Sequence, residues 1–175
     1  MAGLALHLAE LGHRDIAVVI PFQLSADWGR TRLAGIEQAL RRRGIALRPQ
    51  AIIDDLGFDM TAGQTAFHRL RARAAQTTAV ICSSDAIAAG LILAARAQGV
   101  AVPAELSVTG YNDMEVASVI DPPITTVRTS SQLHADRLTE ALLGWMASGV
   151  VPASQTLPTE LIIRGSTAAA ARRGR

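Results

Sequence analysis

The stretch "AVICSSDAIAAGLILAARAQGVAVPAELSVTGYND", residues 79–113, decides how this chain folds. It opens on a short apolar run, passes two serines and an aspartate, and continues with apolar residues at helical spacing until Gly99. A second run, "ELSVTGY", then ends in Tyr111, Asn112 and Asp113. Strand, helix and strand in that order, with a connection too long for a hairpin, predict two parallel strands joined by a crossover helix. Both strands end in small polar clusters, which places those clusters on one edge of a sheet.

The same alternation extends in both directions. Toward the N-terminus, Leu4, Leu8 and Leu11 precede Gly12 as a short helix, and "DIAVVI" (15–20) reads as a strand covered on both faces. "PFQLSADWGRTR" (21–32) reads as a polar loop feeding the helical stretch 32–44, where Leu33, Ile36, Ala39 and Leu40 share a face. "IALRPQAII" (45–53) is expected as the second strand, interrupted by Pro49, and 54–75 supplies another loop and helix. Beyond residue 113 come a short helix stopped by Pro122 and Pro123, a strand "ITTVR" (124–128), a helix over 131–149 and a strand "TELIIRG" (159–165). The predicted fold is α/β: a doubly wound parallel sheet with helices on both faces.

In such a sheet ligands bind beyond the carboxyl ends of the strands. The first such end offers Asp27, Trp28, Arg30 and Arg32, the second Asp54, Asp55 and Phe58. The third offers Ser83, Ser84 and Asp85, the fourth Tyr111, Asn112 and Asp113, the fifth Arg128. Guanidinium forks and carboxylates orient hydroxyls, and an aromatic face covers ring carbons, so a polyhydroxylated or purine-like ligand suits this edge. Each residue also has a plainer reading: Ser84 and Asp85 as helix caps, Phe58 as a hydrophobic staple, Asn112 and Asp113 as a turn.

Enzyme signatures do not occur in the chain: neither GxGxxG, GxxxxGK[ST] nor GxSxG is present, and no histidine falls at a strand end beside Ser83 or Ser84. Cys82 is the single cysteine and reads as a small buried hydrophobe. His7, His13, His68 and His134 show no metal spacing, so neither a metal nor a cofactor is expected. All 17 basic residues are arginine, and three lie in the tail "AAAARRGR" (168–175). Without that tail 14 arginines face 15 acids, leaving no cationic excess for a phosphate backbone. No apolar run approaches the roughly 20 residues of a membrane span, and the start lacks the order of a secretion signal, so a non-enzymatic cytoplasmic protein is expected.

Six segments, "HLAELGHRDIAVV", "RTRLAGIEQAL", "SSDAIAAG", "GVAVPAELSVTGYND", "DPPITTVR" and "LPTELIIRGST", together resemble the effector-binding region of the lac repressor and galactose repressor family of bacterial transcription regulators, collinearly over residues 4–167. The resemblance implies a lobe like those of periplasmic sugar-binding proteins, holding a small effector (a sugar, sugar derivative or nucleobase) between two lobes. It matches Arg32 to an arginine that grips effector hydroxyls or carboxylates, and Phe58 to a stacking position. Ser84 stands where asparagine is usual before Asp85, and Asn112 where aspartate is common. With Trp28 these are the candidate effector residues. A homodimer through the face bearing Ala89 and Leu93 is implied, as is operator binding through an N-terminal headpiece outside this chain.

By the same resemblance 1–14 is the last helix of a truncated first lobe, 15–130 the second lobe, 131–156 a return helix of the first lobe, 157–167 a final strand, and 168–175 a disordered tail. The apolar stripe of Leu138, Leu142, Trp145 and Met146 is then expected to lack its sheet partner. A solute-binding protein of a sugar transport system is the alternative on the same architecture.

Overall fold

The computed structural model describes residues 1–21 and 26–171. Four parallel strands, β1 (Ile16–Val19), β2 (Ile52–Ile53), β3 (Ala79–Cys82) and β4 (Ser107–Thr109), form a sheet in the order β2-β1-β3-β4. Ile16 to Val19 pair in register with Ala79 to Cys82. β1, β3 and β4 are buried on both faces, and alternate side chains feed two cores. Ala17, Val19, Val80 and Cys82 join the core under α3 (Met60–Arg73) and α4 (Asp85–Ala97). Ile16, Val18, Ala79 and Ile81 join the core under α1 (Ala2–Glu10) and α2 (Ala26–Arg41).

Several elements depart from the sequence reading. The segment 45–53 contributes only β2, because Pro49 opens a single 3-10 turn, Pro49–Ala51, where the strand was expected. Helix α2 begins at Ala26, within the expected loop, so Trp28 and Arg32 lie one helical turn apart. Residues 22–25 of that loop lie outside the described residues. Helix α1, assigned by resemblance to another lobe, packs into this one: Leu4 and Leu8 are fully buried with Ile36 and Leu40. Ala168 and Ala170, expected in a disordered tail, hydrogen-bond to the body. The Ala168 carbonyl accepts from His13, and the Ala170 N–H donates to the Leu11 carbonyl. Residues 172–175 of that tail lie outside the described residues.

After the short helix α5 (Val116–Val119), β5 (Thr126–Thr129) joins β4 through isolated parallel bridges, Thr109 to Thr125 and Asn112 to Arg128. β5 then pairs antiparallel with β6 (Thr159–Ile162), the one antiparallel pairing among the described strands. Where ladder pairing between β4 and β5 lapses, Ser166 fills in: its hydroxyl accepts from the Thr125 N–H and donates to the Val108 carbonyl. Between β5 and β6 lies α6 (Ser131–Ser148), which has no buried residue. Leu138 and Met146 are 72% and 74% exposed. Among the described residues no helix is long and apolar enough to cross a membrane.

Two glycines set the distance between α3 and α4. A Cβ on Gly63 would overlap the Ile87 carbonyl oxygen, and one on Gly90 would overlap the Met60 carbonyl oxygen. The helix backbones therefore touch, which brings the loop before α3 close to the start of α4. At the opposite, N-terminal end of the strands, buried His13 joins three segments. Its Nε2–H donates to the Ala168 carbonyl, so its Nδ1 is the acceptor for the Thr78 hydroxyl at 2.9 Å. Burial holds the His13 pKa below its ordinary value, against the raising effect of the Ala168 bond.

Gly90→Ala is expected to destabilise the fold by about 2 kcal/mol or more through overpacking. Gly35→Ala, in α2 with open space around the new Cβ, should be neutral or stabilise by about 0.5–1 kcal/mol. Urea denaturation of the two variants reads the contrast. His13 is neutral when folded, so the unfolded chain takes the proton first as pH falls through about 6.5, and stability present above that value is lost below it. Wild type should therefore lose more stability than His13→Gln between about pH 7.5 and about pH 5.5; equal losses would remove His13 as the cause.

Candidate functional site

The chain leaves β1 toward β2 on one side, then crosses to β3 on the other. The connections after β1 and β3 therefore diverge, and this reversal opens a crevice at the carboxyl ends of the strands. A cleft of about 470 Å³ is found there, lined among the described residues by Trp28, Phe58, Ser83, Ser84, Ala86, Asn112 and Met114. Four of the six sequence candidates, Trp28, Phe58, Ser84 and Asn112, thus share one cavity.

Trp28 and Phe58 form its aromatic wall, with ring centroids 5.9 Å apart at 62°. Trp28 stands on the first turn of α2, and Phe58 precedes Asp59, whose carboxylate caps α3 by accepting from the Ala62 N–H. Arg32, one turn beyond Trp28, lays its guanidinium 3.4 Å from the Trp28 ring centroid and 4.2 Å from that of Tyr111. Stacked between two rings, it contributes no lining to the cleft, and its buried Nη1 finds no hydrogen-bond partner among the described residues. Burial lowers the Arg32 pKa, with Tyr111 opposing the shift, yet a guanidinium stays charged at neutral pH.

Ser84 is the N-cap of α4, its hydroxyl accepting from the Ala86 N–H at 3.1 Å, and it also lines the cleft. The helix-cap reading of Ser84 is thus observed, and the same residue borders the cleft. Asp85 behaves differently from the expectation. Its side chain points into the protein at 0% exposure: Oδ2 accepts from the Met114 N–H at 2.7 Å, and Oδ1 from the Thr126 hydroxyl at 2.6 Å. Burial raises its pKa, and those two hydrogen bonds oppose the rise. Asp85 joins strand ends instead of facing a ligand.

Asn112 and Asp113 follow β4 with positive φ of 101° and 57°, a region these residue types tolerate better than most. Asn112 is held there by its N–H, which donates to the Val127 carbonyl at 2.9 Å. Asp113 is clamped by two guanidiniums, Arg128 Nε at 2.7 Å and Arg164 at 2.6 Å. Burial pushes the Asp113 carboxyl up, but the two arginines together outweigh it and hold the pKa below the usual range. Arg128, a strand-end candidate, is thereby committed to Asp113 and Glu160.

Sequence reasoning did not single out Tyr111 as a lid on Arg32 or Thr126 as the partner of Asp85. It named Ser83 without selecting it. That side chain is 1% exposed, lines the cleft, and its hydroxyl has no partner among the described residues. The dimer contact is half displaced: Ala89 is fully buried in the core between sheet and helices and cannot meet a second chain, whereas Leu93 is 39% exposed. Among the described residues no group of three or more His, Cys, Asp or Glu is placed to hold a metal.

Residues 5–167 match the periplasmic binding protein-like domain. The chain belongs to that family. It is similar to the HTH-type transcriptional repressor CytR of Escherichia coli strain K12, with 34% identity over 165 residues, 93% of this chain and 48% of the repressor. The transcriptional regulator CelR in complex with cellobiose is similar in structure, with a TM-score of 0.87 at 29% identity, covering 93% of this chain and 49% of that one. The lac repressor dimer bound to operator and the anti-inducer ONPF gives 0.85 at 31% identity, covering 96% and 57%. These matches bear out the resemblance read in the sequence, and they favour regulators over transport proteins on this fold. The chain spans 36% to 48% of the length of three curated relatives it matches.

Asp85→Ala would leave a part-buried N–H and a buried hydroxyl without their acceptor, and is expected to cost about 2 kcal/mol, with Asp85→Asn costing less. An unchanged urea midpoint for Asp85→Ala would show that the carboxylate does not tie the strand ends.

Proposed function

We propose that this chain is the effector-sensing domain of a LacI-type transcriptional regulator, binding a small sugar, sugar derivative or nucleobase-containing ligand in the cleft after β1, β3 and β4. The observation that carries this reading is the pairing of an aromatic wall, Trp28 and Phe58, with a floor of Ser83, Ser84 and Asn112 at the point where the strand order reverses. Rings stack on the first surface while hydroxyls, amides or ring nitrogens meet the second. Arg32, behind Trp28, brings within one helical turn of that wall a cation whose Nη1 has no partner among the described residues.

The cleft lining holds no acid, base or cation among the described residues, and Asp85 nearby has both oxygens bound to protein. This supports sensing over catalysis. The lobe presents one wall of a site whose other wall would come from a second lobe, seated on the apolar face of α6. Effector binding would then bias the relative position of the lobes, and through a dimer the placement of N-terminal headpieces on operator DNA in the cytoplasm. Leu93 remains the candidate dimer contact.

A thermal-shift screen of sugars, sugar phosphates, nucleosides and purines tests the reading, since a ligand at 100 times its Kd raises stability by about 2.7 kcal/mol. Arg32→Ala or Trp28→Ala should weaken binding of the active compound by roughly 10-fold or more. Full retention of the shift in both variants would remove this aromatic and cationic corner from the site.

A further inference from the structure

We infer that Ser83 is the specificity-determining hydroxyl of the cleft, and that it selects a neutral polar group, a hydroxyl, amide or ring N–H, on the end of the ligand that reaches the sheet edge. The inference rests on the effector-sensing reading above. Three polar side chains line the cleft among the described residues, and their commitments differ. The Ser84 hydroxyl already accepts the helix-capping N–H of Ala86. Asn112 is exposed, so its amide is open to solvent. Ser83 alone is sealed from solvent, at 1% exposure, with an Oγ that meets no hydrogen-bonding group of the described protein.

Its backbone fixes where that hydroxyl stands. The Ser83 N–H continues the β1–β3 pairing by donating to the Val19 carbonyl at 2.9 Å, so the residue is fixed directly after the end of β3, at the floor of the crevice. A buried hydroxyl without a partner is unfavourable in the empty protein and is satisfied when a ligand supplies the missing donor or acceptor. Sites of this kind reject analogues that lack the matching group far more strongly than apolar pockets reject a missing methylene.

Charge at this end of the ligand is disfavoured by the same geometry. Arg32 is stacked between Trp28 and Tyr111, and Arg128 and Arg164 are both bound to Asp113. No charged side chain lines the floor among the described residues, so an anionic group placed against Ser83 would find no ion-pair partner in the lining, only the N-terminal turn of α4.

The test uses the purified protein as wild type, Ser83→Ala and Ser83→Cys, with cytidine, ribose, cellobiose and cytidine 5′-monophosphate as probes, read by calorimetric titration and by melting temperature. Without ligand, Ser83→Ala should melt at or above the wild-type temperature, because an unsatisfied group has been removed. The neutral probe that binds wild type best should bind Ser83→Ala at least about 10-fold more weakly, with Ser83→Cys between the two. A lower melting temperature for unliganded Ser83→Ala, or an affinity equal to wild type, would overturn the role of Ser83. Tighter binding of the phosphorylated probe than of cytidine would overturn the neutral selectivity. Failure of every probe to bind wild type would instead count against the sensing reading, while the melting comparison would still decide whether the Ser83 hydroxyl is uncommitted.

Discussion

A carboxylate sealed from water holds the cleft edge of this protein together. Asp85 begins α4 at the end of β3, and its two oxygens reach the loop after β4, through the Met114 N–H, and β5, through Thr126. Its own N–H donates to the Tyr111 carbonyl at 3.1 Å. Gly110 leaves the room this requires, since a Cβ there would overlap Asp85 Oδ1. Hydrogen bonds to a buried acceptor are strong in a low-dielectric interior, and leaving any of them unmade is expensive. Ser84, Tyr111 and Asn112 are each within a residue or two of these anchor points, so the cleft inherits its shape from them.

A second constraint acts from the side. Because Gly90 abuts the Met60 carbonyl, the start of α3 is pressed onto α4, and Phe58, two residues before Met60, is carried to the rim opposite Ser84. Phe58 and the hydroxyl floor are thus set at their separation by backbone contact between α3 and α4, whereas Trp28 is placed by α2. At the far end of the sheet His13 plays the corresponding part, joining the start of β4 to Ala168 through buried hydrogen bonds. The cleft edge and the opposite edge are each fastened by one buried titratable residue.

The alternation of strands and helices was legible because short continuous apolar runs alternate with stretches of helical spacing, and the strand-end rule then directed attention to Trp28, Phe58, Ser84 and Asn112, which line one cleft. What escaped depended on direction. An aspartate just after a capping serine can face solvent or interior, and only the position of Thr126, 41 residues later, turns Asp85 inward. Ala89 and Leu93 share a helix face in projection, yet only the placement of the sheet tells which of them is covered. The start of α2 was hidden because Asp27, Gly29 and Thr31 are equally at home in loops, and the assignment of α1 to another lobe came from family resemblance, where Leu4 and Leu8 alone argue only for burial somewhere.

Helix α6 carries a further consequence. Its polar contacts are internal to the segment: the Ser130 hydroxyl accepts from the Leu133 N–H, Gln132 reaches Asp136, Arg137 meets Glu140, and Gly149 closes the C-terminus in the left-handed conformation. A helix of 18 residues with no fully buried side chain draws little support from tertiary packing, so its helix–coil balance in water is marginal. Occupation of its bare ridge would shift that balance, so the far-ultraviolet signal of residues 131–148 would work as a gauge of whether the opposing wall is in place.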